Sequence, residues 1–230
     1  MGCMLGVDGD TAVYEREAAE WKKYGVSIRR VQTMYEAVKL LKQDDDYIFV
    51  GINGDSVPDL MPMLPIMRDM TDTPIYILSS NFTAEKKVKA MSLGADIFDR
   101  YNDDTRQNVL LALEILKTQD RWASRPQKQL DVLVCRDIIL SKPRRKAFVE
   151  GAEVKLGRKE FDILQALMDN FGHVVEHKKL LQEIWGENYS EKDADVLWRT
   201  VNRLRVKLSR ERSAGEYIEI ERGVGYIFKI

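Results

Sequence analysis

Apolar positions along the first 120 residues follow two periods in turn. Short, largely apolar runs, Cys3 to Val7, Val26 to Arg30, Tyr47 to Ile52, Pro74 to Ser79 and Ala95 to Phe98, predict five β-strands. Between them the spacing is helical. Met34, Ala37, Val38 and Leu41 fall at i, i+3, i+4 and i+7, and Val109, Ala112, Leu113 and Leu116 repeat that spacing, so each helix lays one apolar stripe on a sheet. Strands that are apolar on both faces belong to a parallel sheet covered on both sides. Residues 1–120 are therefore expected to form an α/β domain, a doubly wound five-stranded parallel (βα)5 sheet, with any site at its strand ends.

The pattern breaks from Trp122 to Gln129, where polar and basic residues surround Pro126 without an apolar period, and residues 121–129 read as a linker. Residues 130–230 read as α+β. Asp131 to Cys135, Ile138 to Leu140, Ala147 to Val149 and Glu153 to Lys155 predict a small antiparallel sheet, with Lys142-Pro143-Arg144-Arg145 at a turn. A helix starts near Arg158, keeps Phe161, Leu164, Leu167, Met168 and Phe171 on one face, and ends at Gly172. A short helix spans Lys178 to Trp185. A longer one, Lys192 to Ser209, places Leu197, Val201, Leu204 and Leu208 on one stripe. After Gly215, Tyr217 to Glu221 and Gly225 to Lys229 predict a hairpin turning at Arg222-Gly223-Val224. Sheet, three helices and hairpin together make a winged helix-turn-helix.

Composition narrows the function. The chain of 230 residues is 44% apolar and 32% charged with both signs mixed, which is that of a folded protein. Uncharged runs such as Thr73 to Ala84 are too short to span a bilayer, and the N-terminus lacks a basic stretch followed by an apolar core, so a cytoplasmic location is expected. Cys3 and Cys135 fall on predicted strands in different halves and read as two reduced, buried thiols. His173, Glu176 and His177 match H-x-x-E-H, but they follow the helix-ending Gly172 and no metal is expected there. Net charge splits by halves. Residues 1–120 carry 14 Lys+Arg against 20 Asp+Glu, and the remainder carries 22 against 17. A polyanion partner would meet the second half.

Three strand ends carry the candidate chemistry of the first half: Val7-Asp8-Gly9-Asp10, Ile52-Asn53-Gly54-Asp55 and Leu78-Ser79-Ser80. Their order resembles a receiver domain, and Asp8, Ser79 and the run Leu93-Gly94-Ala95-Asp96 match its pattern. The resemblance implies an acid pair after the first strand that holds magnesium with an Asp after the third, that Asp as phosphoryl acceptor, and a Thr or Ser after the fourth strand and a Lys after the fifth that sense the phosphoryl group. Here Gly9 replaces the second acid, Asn53 the acceptor, and Tyr101-Asn102 the Lys-Pro pair. A neutral amide is a poor nucleophile towards phosphorus, and magnesium needs carboxylate charge. Asp8, Gly9, Asn53, Ser79 and Tyr101 thus read as a degenerate phosphorylation pocket, with Asp8 a loop acid or helix-start cap before Thr11.

Val154 to Phe161, Leu180 to Gly186, Val201 to Leu208 and Arg222 to Tyr226 resemble successive landmarks of the OmpR/PhoB response-regulator output domain. The resemblance implies double-stranded DNA as partner, the third helix in the major groove and the hairpin wing in the adjacent minor groove. Arg199 and Arg203, one turn apart with Thr200 beside them, would then face base edges, while Asn202, Arg205 and Lys207 suit phosphates. Arg222 matches the minor-groove arginine of the wing. Trp185 and Tyr226 fall at backbone-contact positions, and His177 is a further carry-over. Without the flanking landmarks, Arg199 to Lys207 would read as a solvated face paired with Glu191, Asp193 and Asp195. Trp185 reads as mostly core. Asp195, Trp198 and Arg199 depart from the family pattern, so the target site should differ from typical ones.

The reading is a transcriptional regulator acting independently of aspartyl phosphorylation, not an enzyme, with no cofactor. A homodimer through the receiver-like half is expected, and RNA polymerase is a further partner the resemblance implies. Ile97 and the apolar run Val109 to Leu113 replace charges the family uses there. Two alternatives stand: a conventional phosphorylation switch using Asp8, Asp10 or Asp55, and a receiver half that mainly binds a partner or ligand.

Overall fold

A computed structural model describes residues 2–10, 12–43, 46–117, 131–186, 189–209 and 217–229. The expected linker, Thr11 and Gly215 lie outside the described residues, as do the side chains of Leu116, Glu191 and Lys192. The chain divides into two compact units, Met1–Leu130 and Asp131–Ile230.

In the first unit β1 (Gly2–Val7), β2 (Val26–Val31), β3 (Tyr47–Asn53), β4 (Ile75–Ser79) and β5 (Ile97–Arg100) pair in parallel in the order β2-β1-β3-β4-β5. They alternate with α1 (Ala12–Lys23), α2 (Met34–Gln43), α3 (Leu60–Met70), α4 (Ala84–Ser92) and α5 (Thr105–Lys117). Successive β3 residues Phe49 and Val50 are both buried, because helices cover both faces of the sheet. One face packs Met4, Phe49 and Tyr76 against Tyr14 and Trp21 of α1 and Val109 and Ala112 of α5. α2 buries the stripe its spacing predicts, Met34, Ala37, Val38 and Leu41. Strand β5 starts at Ile97, later than the expected Ala95. Asp96 is taken up by a turn, its amide donating to the Ile75 carbonyl and its carboxylate accepting from the Ile75 amide at 2.8 Å. Strand order reverses at β1, so the ends of β1 and β3 open on the crevice where such sheets hold their sites.

In the second unit β6 (Val132–Cys135), β7 (Ile138–Ser141), β8 (Lys146–Val149) and β9 (Ala152–Val154) form an antiparallel sheet in sequence order. Then come α6 (Arg158–Asp169), β10 (Val174–Glu176), α7 (His177–Trp185), α8 (Glu191–Ser209), β11 (Ile218–Glu221) and β12 (Gly225–Phe228). The core joins Phe161, Leu164 and Leu167 of α6 to Leu180 and Leu181 of α7 and to Leu197, Val201, Leu204 and Leu208 of α8. α6 stops at Asp169, short of Phe171, and Gly172 takes a left-handed φ of 76° in the turn that follows. Strand β10 is too short to carry a period and was not expected. It pairs with β12, so the hairpin is part of a three-stranded sheet. A Cβ at Gly225 would meet the Val175 carbonyl oxygen at 2.0 Å, so this pairing requires glycine.

Two expectations are corrected or placed. Cys3 and Cys135 are free thiols but only half-buried, since Cys3 lies near the start of β1 and Cys135 ends the edge strand β6. His173, Glu176 and His177 span a turn, strand β10 and the first residue of α7, so they share no helix face. Among the described residues no helix is long and apolar enough to cross a membrane.

Candidate nucleic-acid interface and strand-end pocket

At the end of β1 the Asp8 side chain is 1% exposed and fully engaged. Its Oδ2 accepts from the Val13 amide at 3.0 Å, which caps the start of α1. Its Oδ1 accepts from Ser56 Oγ at 2.7 Å, Asn53 Nδ2 at 2.9 Å and the Asp10 amide at 3.2 Å. The Asn53 carboxamide is thus a neutral donor to this buried carboxylate. Its Oδ1 accepts from the Asp55 amide at 3.1 Å, which fixes the carboxamide orientation. Gly9 donates to Ser56 Oγ at 3.0 Å, and a Cβ there would meet the Ser56 carbonyl oxygen at 2.2 Å. No second acid fits at position 9 without moving the loop after β3. Ser56 was missed in the sequence because a serine three residues beyond a strand carries no pattern.

The loops after β3 and β4 are tied by Asp55. Its Oδ1 accepts from Ser79 Oγ at 2.6 Å and from the amide and Nδ2 of Asn81, both at 3.3 Å, and its Oδ2 accepts from the Ser80 amide at 2.5 Å. Burial works to raise the Asp55 carboxyl, but the bonds from Ser79, Ser80 and Asn81 outweigh it and hold it below the usual carboxylate value. Tyr101 ends this edge of the site. Its backbone amide donates to the Ser79 carbonyl, and its hydroxyl is buried with no hydrogen-bond partner among the described residues. Burial raises that phenol above its usual value, and the nearby Glu17 charge adds to the effect. A phenol in that state offers no positive charge to the pocket.

In the second unit α7 and α8 form a helix-turn-helix, and α8 turns a polar face outward. Asp195, Arg199 and Arg203 make one row at i, i+4 and i+8, and Trp198, Asn202 and Val206 make a second. Trp198 is 55% and Val206 58% exposed. Arg199 has no hydrogen bond or ion pair within the described residues. Arg203 is exposed, donates to Thr200 Oγ1 at 3.2 Å and lies 3.9 Å from Glu160. Arg222 sits exposed in the turn between β11 and β12, beside Gly223 at a φ of 76°.

Other expected contact residues are placed differently. Thr200 is 1% exposed and bonds back to the Val196 carbonyl at 2.7 Å, so it lies on the buried side of the helix, not on the outward face where it was expected. Lys207 is bound to Glu160 at 2.6 Å and to the Lys155 carbonyl at 3.0 Å, which ties α8 to α6 and leaves the ammonium committed. Arg205 donates to the Ile218 carbonyl at 2.9 Å and to Asn202 Oδ1 at 3.2 Å, and its guanidinium lies over the Tyr226 ring. Tyr226 is buried, with the His177 ring edge-on at 5.1 Å. The His177 amide donates to the Val224 carbonyl, so α7 is anchored to the wing. Trp185 is half-buried, with Lys159 Nζ 3.9 Å from its ring.

A parallel α/β unit with acids at its strand ends, followed by a winged helix-turn-helix with an outward basic face, defines a two-domain DNA-binding regulator. Residues 151–228 match the family model described as "Transcriptional regulatory protein, C terminal". The chain is 31% identical over 184 residues to the response regulator ArlR of Staphylococcus aureus, covering 80% of this chain and 77% of ArlR. It is also similar to the Thermotoga maritima OmpR/PhoB homologue DrrB, at 22% identity over the whole of both chains with a TM-score of 0.40. The Klebsiella pneumoniae RstA DNA-binding domain, solved in complex with the RstA box, is 25% identical over 43% of this chain and 96% of that one, with a TM-score of 0.37. The chain belongs to the OmpR/PhoB family of response regulators, as a DNA-binding transcriptional regulator and not an enzyme.

Proposed function

We propose that this regulator binds its duplex site without aspartyl phosphorylation. The observation that carries the reading is the Asn53 amide on Asp8 at 2.9 Å. That bond satisfies a buried carboxylate with a neutral donor, so the pocket requires neither magnesium nor a phosphoryl group to be electrostatically complete. Gly9 leaves no space for a second metal-binding acid, and Asp55 is bound through both oxygens by its own chain.

DNA is met by α8 in the major groove, where Arg199 and Arg203 face base edges, and by Arg222 of the wing in the minor groove. Trp198 and Val206, on the neighbouring row, suit thymine methyl groups, and Asn202, bonded to Arg205 at 3.2 Å, suits a phosphate. The first unit dimerises through α4, β5 and α5, whose outer surface carries exposed Val88, Met91, Leu110 and Leu111. Ile97, Val109 and Ala112 instead pack inward.

Selection of random duplexes by the full, unphosphorylated chain tests the reading, with sequencing of the bound pool. A repeated half-site at one-turn spacing is the expected result; no enrichment overturns it. Incubation with a small phosphodonor and magnesium, followed by intact mass, should give no adduct of about 80 Da. Sedimentation as a monomer at micromolar concentration would remove the dimer.

A further inference from the structure

We infer that Asp195 reads a cytosine in the duplex site, as the acceptor for the exocyclic amino group of that base. The inference deepens the proposed function and rests on its placement of α8 in the major groove. What carries it is an acid on the DNA-facing row of that helix for which the fold has no use.

Asp195 is exposed and heads the row that continues with Arg199 and Arg203. Like Arg199, it makes no hydrogen bond or ion pair among the described residues, although the two stand one turn apart. Nor does it start the helix. That role falls to Asp193, whose Oδ2 accepts from both the amide and the hydroxyl of Ser190 at 2.8 Å. Asp195 is the fifth residue of α8, past the first turn in which a carboxylate favours the helix dipole, and aspartate is a poor helix former.

A duplex treats this carboxylate in two ways. Phosphates repel it, so DNA of arbitrary sequence binds less well for its presence. Among base edges in the major groove, only cytosine N4 and adenine N6 donate to it. The adenine amino group lies between two acceptors, its own N7 and O4 of the paired thymine, whereas the cytosine amino group has an acceptor on one side only, O6 of the paired guanine. A carboxylate is therefore repelled less at cytosine. Arg199, one turn on, suits guanine O6 and N7. Four residues of helix advance about 6 Å and stacked base pairs about 3.4 Å, so the cytosine falls within about two base pairs of that guanine. The acid thus weakens binding wherever the amino group is missing and is compensated where it is present, which makes it a determinant of discrimination more than of affinity.

The test is selection of random duplexes by the full, unphosphorylated chain as wild type, Asp195→Asn and Asp195→Ala, followed by fluorescence anisotropy on selected duplexes that differ at one base pair. The wild type should enrich a cytosine at one position and bind the C·G duplex about tenfold more tightly than its T·A counterpart. Asp195→Asn should move the preference at that position to adenine, whose N6 and N7 suit a carboxamide, and leave the rest of the site unchanged. Asp195→Ala should bind the two duplexes alike and hold non-specific DNA more tightly than the wild type does. Both variants should melt with the wild type, since no partner among the described residues is lost. The same site enriched by all three proteins overturns the inference and leaves the proposed function standing. So does loss of the neighbouring guanine preference in place of the cytosine preference, which would make Asp195 a prop for Arg199. A wild type that enriches no site overturns the proposed function and this inference together.

Discussion

The strand-end pocket of the first unit and the outer face of α8 in the second are both rich in polar groups, but they differ in how many are already satisfied. Asp8 takes four hydrogen bonds and Asp55 four more, every one from the chain itself. On α8, Arg199 has no partner among the described residues, and Trp198 and Val206 stand in solvent beside it. A saturated pocket has no electrostatic deficit for a ligand to fill, whereas an unsaturated face gains hydrogen bonds and apolar contact when a duplex arrives. On the function proposed above, dependence on an outside molecule falls to the second unit.

Asn53→Asp should break the contrast most strongly. It sets a second carboxylate 2.9 Å from the buried Asp8, and the repulsion should destabilise the first unit by about 2 to 4 kcal/mol. Millimolar magnesium should then recover part of the loss, because a divalent cation would replace the lost amide donor. Calorimetry with and without magnesium checks both halves of the expectation. Equal stability of variant and wild type would show that the amide is not what satisfies Asp8.

Arg199→Ala tests the other side. With no partner to lose among the described residues, the variant should fold as the wild type does and bind a selected duplex about tenfold to a hundredfold more weakly. Trp198→Ala should act more narrowly, removing the preference for thymine over uracil at one position of the site. Fluorescence anisotropy with the two duplexes measures each effect. A drop in thermal stability equal to the drop in binding would mean that these side chains serve the fold.

How far the sequence reveals this contrast depends on the range of the interactions. Strand and helix stripes are local, and Met34, Ala37, Val38 and Leu41 or Leu197, Val201, Leu204 and Leu208 bury as their spacing requires. The loss of an acid at Asn53 is also legible. That Asn53 bonds to Asp8, 45 positions away, and that Asp55 crosses to Ser79, 24 away, are properties of the sheet register, which no local period encodes. Side-chain partners within α8 were equally hidden. Position on the helix separates Arg199 from the core, but it says nothing of Glu160, which captures Lys207 from another helix. Thr200 shows the same limit: beside the stripe in sequence, it falls on the buried side.

Glu160 sharpens the comparison, because it is a saturated acid that supports the unsaturated face. It accepts from the Gly157 amide and from Lys207, both at 2.6 Å, so it joins the start of α6 to α8. Burial works to raise its carboxyl, but those bonds and the charges of Lys207 and Arg203 outweigh it and leave it below the usual value. Stability from a depressed carboxylate is present above its unfolded value and is lost as pH falls through the folded one. Glu160→Gln should therefore cost the second unit about 1 kcal/mol at neutral pH and little once both proteins are acidified. Thermal melts across pH 3 to 7 measure the convergence; a constant difference would assign the effect to packing alone.

The smallest expected effect concerns Glu17, the buried acid of α1, and runs in the opposite direction. Its carboxylate accepts from Trp21 Nε1 at 3.2 Å and Asn108 Nδ2 at 3.1 Å. Burial raises its carboxyl above the usual value, and those two bonds only partly offset the shift. An acid with a raised folded value stabilises most when protonated, and that contribution is lost as pH rises from the unfolded value through the folded one. Glu17→Gln removes the titration, so the variant should gain on the wild type as pH rises, by about 1 kcal/mol or less after the lost acceptor is allowed for. The first unit's melting transition, followed at pH 4 and pH 8, reads the sign directly. A variant that instead loses ground at high pH would mean that the charged form is the stabilised one, and that Trp21 and Asn108 satisfy Glu17 as completely as Asn53 and Ser56 satisfy Asp8.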